Sequence, residues 1–183
     1  VMDEAWGALA LTYTLEDGYG SKIVVPGAGF LLNNEMGDFN AGPGLTNEQG
    51  LIGTPPNLAQ VSKRMLSSMA PMIVAKDGQL FMVTGSPGGR TIINTVLMTL
   101  LNVIDFGMNA QEAVDAGRIH HQWLPDRLSM ERYGFSADTI AKLKAMGHTV
   151  AEAGGQGVAE VIVNKDGVLE GGVDGRAPDG GAA

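Results

Sequence analysis

Residues 83–93 read VTGSPGGRTII, a β-branched apolar stretch that enters a Ser-Pro-Gly-Gly turn and leaves it in a helical pattern. Val83 and Thr84 favour a strand, and the glycine pair frees the backbone from the steric limits of other residues. From Thr91 onward Ile92, Ile93, Val96, Leu97, Leu100, Leu101 and Ile104 recur at helical spacing, which predicts a helix buried on most of its surface. A strand that passes through Gly-Gly into a helix leaves amide groups unpaired at the helix start, backed by the positive end of its dipole. Such a turn suits an anion or a developing oxyanion. GSPGGRT lacks the Lys-Ser/Thr ending of a nucleotide loop and the spacing of a dinucleotide fingerprint. A second reading stays open at this point: the glycines simply let strand and helix pack closely.

Working outward, 72–75 and 79–84 read as two strands of a hairpin joined by Lys76-Asp77-Gly78. A second hairpin is expected from 159–163 and 168–170 around Asn164-Lys165-Asp166-Gly167. Residues 8–15 alternate strictly, with Leu9, Leu11, Tyr13 and Leu15 on one face and Thr12 and Thr14 on the other, which predicts another strand. Further strands are expected at 22–25 and 30–33. Helices are expected at 110–116, capped by Asn109, and at 137–146, with Ser136 as N-cap and Gly147 as the stop. Residues 40–62 hold Gly, Pro and Asn without a period and read as one long loop of the kind that serves as a lid. Strands, helices and strands in this order give an α+β layered fold, expected as a single domain over 1–183.

The chain has 183 residues, 44% apolar and 17% charged, enough apolar side chains for a sizeable core. Its net charge of −8 sets it against nucleic acid and acidic membrane surfaces, which leaves small molecules or another protein as partners. The longest apolar stretch, 92–104, is interrupted by Asn94, Thr95, Thr99 and Asn102, and no membrane span is expected. Without cysteine there are no disulfides, no thiolate chemistry and no Cys-based zinc site. The sequence opens VMDEAWGALAL, with no basic or apolar leader region, and a processing product or a truncation is expected. The glycine-rich last ten residues are expected to be poorly ordered or docked on another element.

Three further stretches carry chemistry-bearing groups. Asn33-Asn34-Glu35-Met36-Gly37-Asp38 places two carboxylates three positions apart at the exit of a strand, where they can converge on an ammonium group or simply face solvent. Ser67 and Ser68 set two hydroxyls before a strand, as caps or as donors to a carboxylate. His120-His121-Gln122-Trp123-Leu124-Pro125-Asp126 reads as a hydrogen-bonded turn rather than a metal site, since adjacent side chains diverge and no Glu-x-x-His context accompanies them.

TYTL at 12–15, FLLNNEMGDF at 30–39, KRMLSSMAPMIV at 63–74, GSPGG at 85–89, HHQWLPD at 120–126 and VDGR at 173–176 occur in one order, and taken together they resemble the γ-glutamyltranspeptidases. The likeness runs from Val1 to the C-terminus and is to the small catalytic subunit of a bacterial member. It implies the N-terminal-nucleophile hydrolase fold, a four-layer αββα sandwich. It also implies a precursor that cuts itself, a large-subunit partner, and a nucleophilic threonine just upstream of Val1 whose own α-amine is the base. Carried over by position, Thr14 assists that nucleophile, and Gly88 and Gly89 donate amides to the oxyanion. Glu35 and Asp38 hold the substrate ammonium, Ser67 and Ser68 its carboxylate, and Glu16 stands where many members carry Asn. Gly37 replaces a frequent aspartate, Arg90 follows the glycine pair, and Gln49 sits where some relatives have an aromatic gate; these departures bear on substrate range and gating.

The activity implied is γ-glutamyl transfer or hydrolysis of γ-glutamyl amides such as glutathione, with no cofactor or metal, in a periplasmic or secreted enzyme. The rivals are an acylase of the same fold acting on glutaryl-cephalosporins or poly-γ-glutamate, and a non-catalytic scaffold that binds γ-glutamyl compounds. A glutaryl group has no ammonium for Glu35 and Asp38 to pair, which disfavours the glutaryl case.

Overall fold

The computed structural model describes residues 1–178 and 180. The chain forms two compact units: one holds 1–12, 68–121 and 127 onward, the other 13–67 and 122–126. All regular strands and helices belong to the first.

Strands β1 (Met72–Lys76), β2 (Gln79–Gly85), β6 (Glu160–Lys165) and β7 (Val168–Val173) form an antiparallel four-stranded sheet in the order β1-β2-β6-β7. Both predicted hairpins are therefore present, each longer than its apolar run suggests. Helix α1 (Ile92–Ile104) follows β2 through a 3-10 turn at Gly89–Thr91, and α2 (Ala110–Asp115) packs on β6 and β7. Met82, Val103, Ala110, Ala113, Val114, Ala159, Val161 and Val163 make one buried cluster between this sheet and these helices. A second sheet, β3 (Ile119–His120), β4 (Leu128–Glu131) and β5 (Val150–Ala153), is absent from the sequence reading; its strands are two to four residues long, too short to show a period. Helix α3 (Ala137–Ala145) has its expected Ser136 cap, whose oxygen accepts from the Thr139 amide at 3.2 Å, and Gly147 ends it at φ +96°.

The N-terminus of α2 is a reciprocal capping box. Asn109 Oδ1 accepts from the Glu112 amide at 2.8 Å, and Glu112 Oε2 accepts from the Asn109 amide at 3.0 Å. Because this short helix fixes three core residues, Asn109→Ala is expected to cost about 1 kcal/mol, read as a lower urea midpoint at unchanged m-value.

Several expectations fail for identifiable reasons. Residues 9–15 form no ladder: Leu9, Leu11 and Tyr13 are 56%, 72% and 81% exposed, and the pairing there is a single bridge between Met2 and Ala8. Alternation describes a chain ready to pair, but a strand also needs a neighbour to bond to. Strands at 22–25 and 30–33 shrink to one antiparallel bridge, Val24 with Leu31, flanked by the Val25-to-Phe30 and Leu32-to-Ile23 backbone bonds. Helix α1 buries one face only, through Ile92, Val96 and Val103 with Thr95 and Thr99, while Ile93, Leu97, Leu101 and Ile104 remain exposed. His120 lies in β3, its Nδ1 3.0 Å from Asn94 Nδ2, rather than in a turn. The end of the chain, by contrast, follows the second of its two expectations, since Asp174 is fully buried and Arg176 is docked on Glu131; Asp179 and residues 181–183 lie outside the described residues. No helix among the described residues is long and apolar enough to cross a membrane.

Candidate active site

The acidic stretch belongs to the unit of residues 13–67 and 122–126, and its geometry follows from two asparagines. Asn33 Oδ1 accepts from the Glu35 amide at 3.1 Å and starts a 3-10 turn over Glu35–Asp38. Side chains at i and i+3 eclipse in such a turn, so the spacing seen in the sequence brings Glu35 and Asp38 to one side. Asn34 clamps the neighbouring segment: its Oδ1 accepts from the Asp17 amide at 3.1 Å, and its Nδ2 donates to Glu16 Oε2. Thr14 Oγ1 accepts from the Glu16 amide at 2.7 Å across a left-handed turn, with Glu16 at φ +76°. Thr14, Glu16, Glu35 and Asp38 thus gather within one unit. Ser67 lies in that same unit, exposed.

The carboxyl of Glu35 is the unusual group. Its Oε1 is buried and has no hydrogen-bond partner among the described residues. Burial lifts the carboxyl above its ordinary range, and the charges of Asp38 and Glu16 lift it further. A buried acceptor with no donor, surrounded by like charge, is costly until a cation with N–H groups arrives.

Ser68, Gly88 and Gly89 belong to the other unit. Gly88 sits at φ +140° and Gly89 at φ +56°, conformations closed to most side chains. The Gly88 carbonyl is occupied, accepting from the Thr91 amide at 3.1 Å and from Thr91 Oγ1 at 2.9 Å. Neither the Gly88 nor the Gly89 amide donates to any acceptor among the described residues, and both residues are exposed at the entry to α1. Close packing contributes as well: a Cβ on Gly88 would lie 2.6 Å from Thr91 Oγ1 and 3.1 Å from Gly157 Cα. The close-packing reading therefore describes Gly88, whereas a Cβ on Gly89 would meet nothing within 4 Å.

The long stretch 40–62 is held at its base by buried Asn57. Its Nδ2 donates to the Asp38 carbonyl at 2.7 Å, and its Oδ1 accepts from the Leu66 amide at 2.9 Å. Asn40 Nδ2 donates to the Thr54 carbonyl at 2.7 Å. Between these anchors lie turns and a 3-10 turn at Pro55–Asn57, in agreement with the loop assignment. No cluster of three or more His, Asp or Glu side chains among the described residues has the arrangement of a metal site.

Sequence reasoning singled out VDGR but gave its charged residues no task, and it passed over Arg118 and Glu131. They form a buried ionic lattice. Arg118 is 2% exposed and Asp174 0%, with Nη2 and Oδ2 2.7 Å apart. Arg176 Nη1 lies 2.9 Å from Asp174 Oδ1, and its Nη2 pairs with Glu131 Oε2. Arg118 Nη1 donates to the Gln156 carbonyl at 2.8 Å, Glu131 Oε1 accepts from the Gln156 amide at 2.7 Å, and Asp174 Oδ2 accepts from the Ala159 amide at 2.7 Å. The lattice joins the end of β7, strand β4 and the 156–159 segment, and so fixes the frame that carries β2 and the glycine turn.

The fold is that of the N-terminal-nucleophile hydrolases, of α+β class. The family description "Gamma-glutamyltranspeptidase" matches residues 1–183, and the chain belongs to that family. It is 49% identical over 180 residues, 98% of its length, to a glutathione hydrolase proenzyme of Escherichia coli strain K12, of which it covers 31%. A Helicobacter pylori gamma-glutamyltranspeptidase T380A mutant structure matches with TM-score 0.90 and 45% identity over 97% of each chain. A cephalosporin acylase structure from Bacillus halodurans matches with TM-score 0.76 and 27% identity, over 90% of this chain and 29% of that one. The chain spans between 26% and 31% of the length of the first three curated relatives it matches.

Proposed function

We propose that this chain is the small subunit of a γ-glutamyl acyltransferase and hydrolase, acting on γ-glutamyl amides such as glutathione together with the large subunit of the same self-cleaved precursor. The observation that carries the reading is the buried, unpartnered Glu35 Oε1 beside Asp38 and Glu16, an acceptor set that calls for a cationic donor. The α-ammonium of a γ-glutamyl group is such a donor, and its α-carboxylate suits the hydroxyls of Ser67 and Ser68.

In this account the hydroxyl of a threonine upstream of Val1 attacks the γ-carbonyl carbon while its own α-amine takes the proton. The carbonyl oxygen gathers negative charge, which the Gly88 and Gly89 amides stabilise with help from the α1 dipole. The amide C–N bond then breaks, the leaving amine takes up the proton, and an ester to the threonine remains. Water or an amino acid amine attacks that ester and regenerates the hydroxyl. Thr14, whose oxygen already accepts from the Glu16 amide, keeps its own O–H to donate to the nucleophile's oxygen. Residues 40–62 act as the lid, and an exported location follows from the family likeness.

Glutaryl amides offer no ammonium to the carboxylates, so a glutaryl acylase is the weaker reading even though a cephalosporin acylase shares the fold. The test is steady-state release of p-nitroaniline from L-γ-glutamyl-p-nitroanilide by the complete two-subunit protein. Turnover is expected. Inertness towards this donor with turnover of glutaryl-p-nitroanilide would replace the proposal by the acylase, and inertness towards both would leave a binding scaffold.

A further inference from the structure

Gly37 is a residue whose lack of a side chain is filled by a neighbour. A Cβ built on it would stand 2.8 Å from Glu16 Cδ and 3.0 Å from Glu16 Oε2, and its three nearest atoms all belong to the Glu16 carboxyl. The backbone at Gly37 does not lie in the left-handed region, so nothing in its own conformation demands glycine. What demands it is the position of the Glu16 head group. That position is held from two further directions: Asn34 Nδ2 donates to Oε2, and the left-handed turn at Glu16, closed by Thr14 Oγ1, aims the side chain at the 3-10 turn of Glu35–Asp38. The Glu16 charge is close enough to Glu35 to raise its carboxyl, as does that of Asp38.

We propose that Gly37 and Glu16 form a coupled specificity pair. The space left by Gly37 admits the Glu16 carboxylate beside Glu35 and Asp38, so that a donor's ammonium group meets a third carboxylate. Any side chain at 37 pushes Glu16 out of that place. This deepens the proposed γ-glutamyl reading and rests on it. Among the described residues the Asn34 amide is the one donor to the Glu16 carboxylate, so the pair adds negative potential that a cationic donor relieves and a neutral one does not.

Because the clash is with the far end of a flexible side chain, Gly37→Ala should fold and move only the Glu16 head group. The experiment is a double-mutant cycle in the complete two-subunit enzyme, with KM and kcat measured on L-γ-glutamyl-p-nitroanilide. Glu16→Ala and Gly37→Ala are each expected to raise KM about tenfold, the loss of one hydrogen bond to a charged group, with kcat changed much less. The double variant should match Glu16→Ala alone, since no carboxylate is left to displace. A wild-type KM in Gly37→Ala, or effects that multiply in the double variant, would overturn the coupling while leaving γ-glutamyl turnover intact. Absence of turnover by the wild-type enzyme would overturn the functional reading and the coupling with it. Should Gly37→Ala fail to fold, Gly37→Ser in the Glu16→Ala background supports the pair if it keeps the KM of that background, and contradicts it if KM rises further.

Discussion

Asp174→Ala is expected to destabilise the protein by about 3–5 kcal/mol, enough to lower the population of folded protein at ordinary temperatures. The carboxylate is fully buried and serves four donor groups at once: the Arg118 guanidinium, the Arg176 guanidinium, the Arg176 amide and the Ala159 amide. Its removal leaves Arg118, 2% exposed, with an uncompensated charge, and a buried amide without an acceptor. Urea unfolding reads the effect. The paired replacement Arg118→Met with Asp174→Leu should cost less than Asp174→Ala alone, because an apolar pair leaves no stranded charge on that side of the lattice.

The same lattice predicts acid sensitivity with a definite sign. Burial pushes the Asp174 carboxyl up, but the Ala159 amide, Arg176 and Arg118 together hold it below the usual carboxylate range. Burial likewise pushes Glu131 up, and Arg176 with the Gln156 and Arg118 amides outweighs it. A carboxyl depressed in the folded state contributes stability that is full above its unfolded pKa of about 4 and is lost as pH falls through the folded value. The urea midpoint should therefore fall steeply below about pH 4, and Asp174→Asn should flatten that fall while lowering the neutral-pH plateau.

Gly88→Ala is the second large effect, a loss of about 10²–10³ in kcat on γ-glutamyl-p-nitroanilide with a smaller change in KM. Three features converge on this residue. Its φ of +140° strains any side chain, a Cβ would stand 2.6 Å from Thr91 Oγ1, and its amide meets no acceptor among the described residues. Under the proposed function, a backbone shift here withdraws an oxyanion donor, whose contribution appears only when the carbonyl oxygen takes up charge. Gly89→Ala separates the catalytic from the structural share: its Cβ would meet nothing within 4 Å, so folding should bear only the left-handed backbone cost of about 1–2 kcal/mol. A Gly88→Ala enzyme with wild-type kcat would remove the glycine turn from the chemistry.

The two hairpins, the Asn109 and Ser136 caps and the Gly147 stop were legible because each is a local signal in which turn residues and apolar period agree. The second sheet was not, since β3 has two residues and β4 pairs in parallel with β5 across an intervening helix. The 9–15 stretch shows the converse. Its alternation is perfect, yet Leu9, Leu11 and Tyr13 face solvent because, among the described residues, the pairing of Val1 with Leu9 is not continued by a neighbouring strand. The acidic motif was visible as spacing, but the 3-10 turn that eclipses Glu35 and Asp38, and the Asn34 clamp on Glu16, are tertiary facts. Glu16 and Gly37 each read as a separate departure from the family pattern; only a Cβ placed in space shows that one fills the room of the other. The Arg118, Glu131, Asp174 and Arg176 lattice joins residues far apart in sequence, which no local pattern announces.

The central claim is that the Glu16, Glu35 and Asp38 carboxylates select a donor by its ammonium group. Glutaryl-p-nitroanilide differs from L-γ-glutamyl-p-nitroanilide by that group alone, so the ratio of their kcat/KM values isolates it. The complete enzyme should favour the γ-glutamyl donor by about 10³-fold or more, and Glu35→Gln should erase most of that preference. Equal kcat/KM values for the two donors, or a preference untouched by Glu35→Gln, would contradict the account.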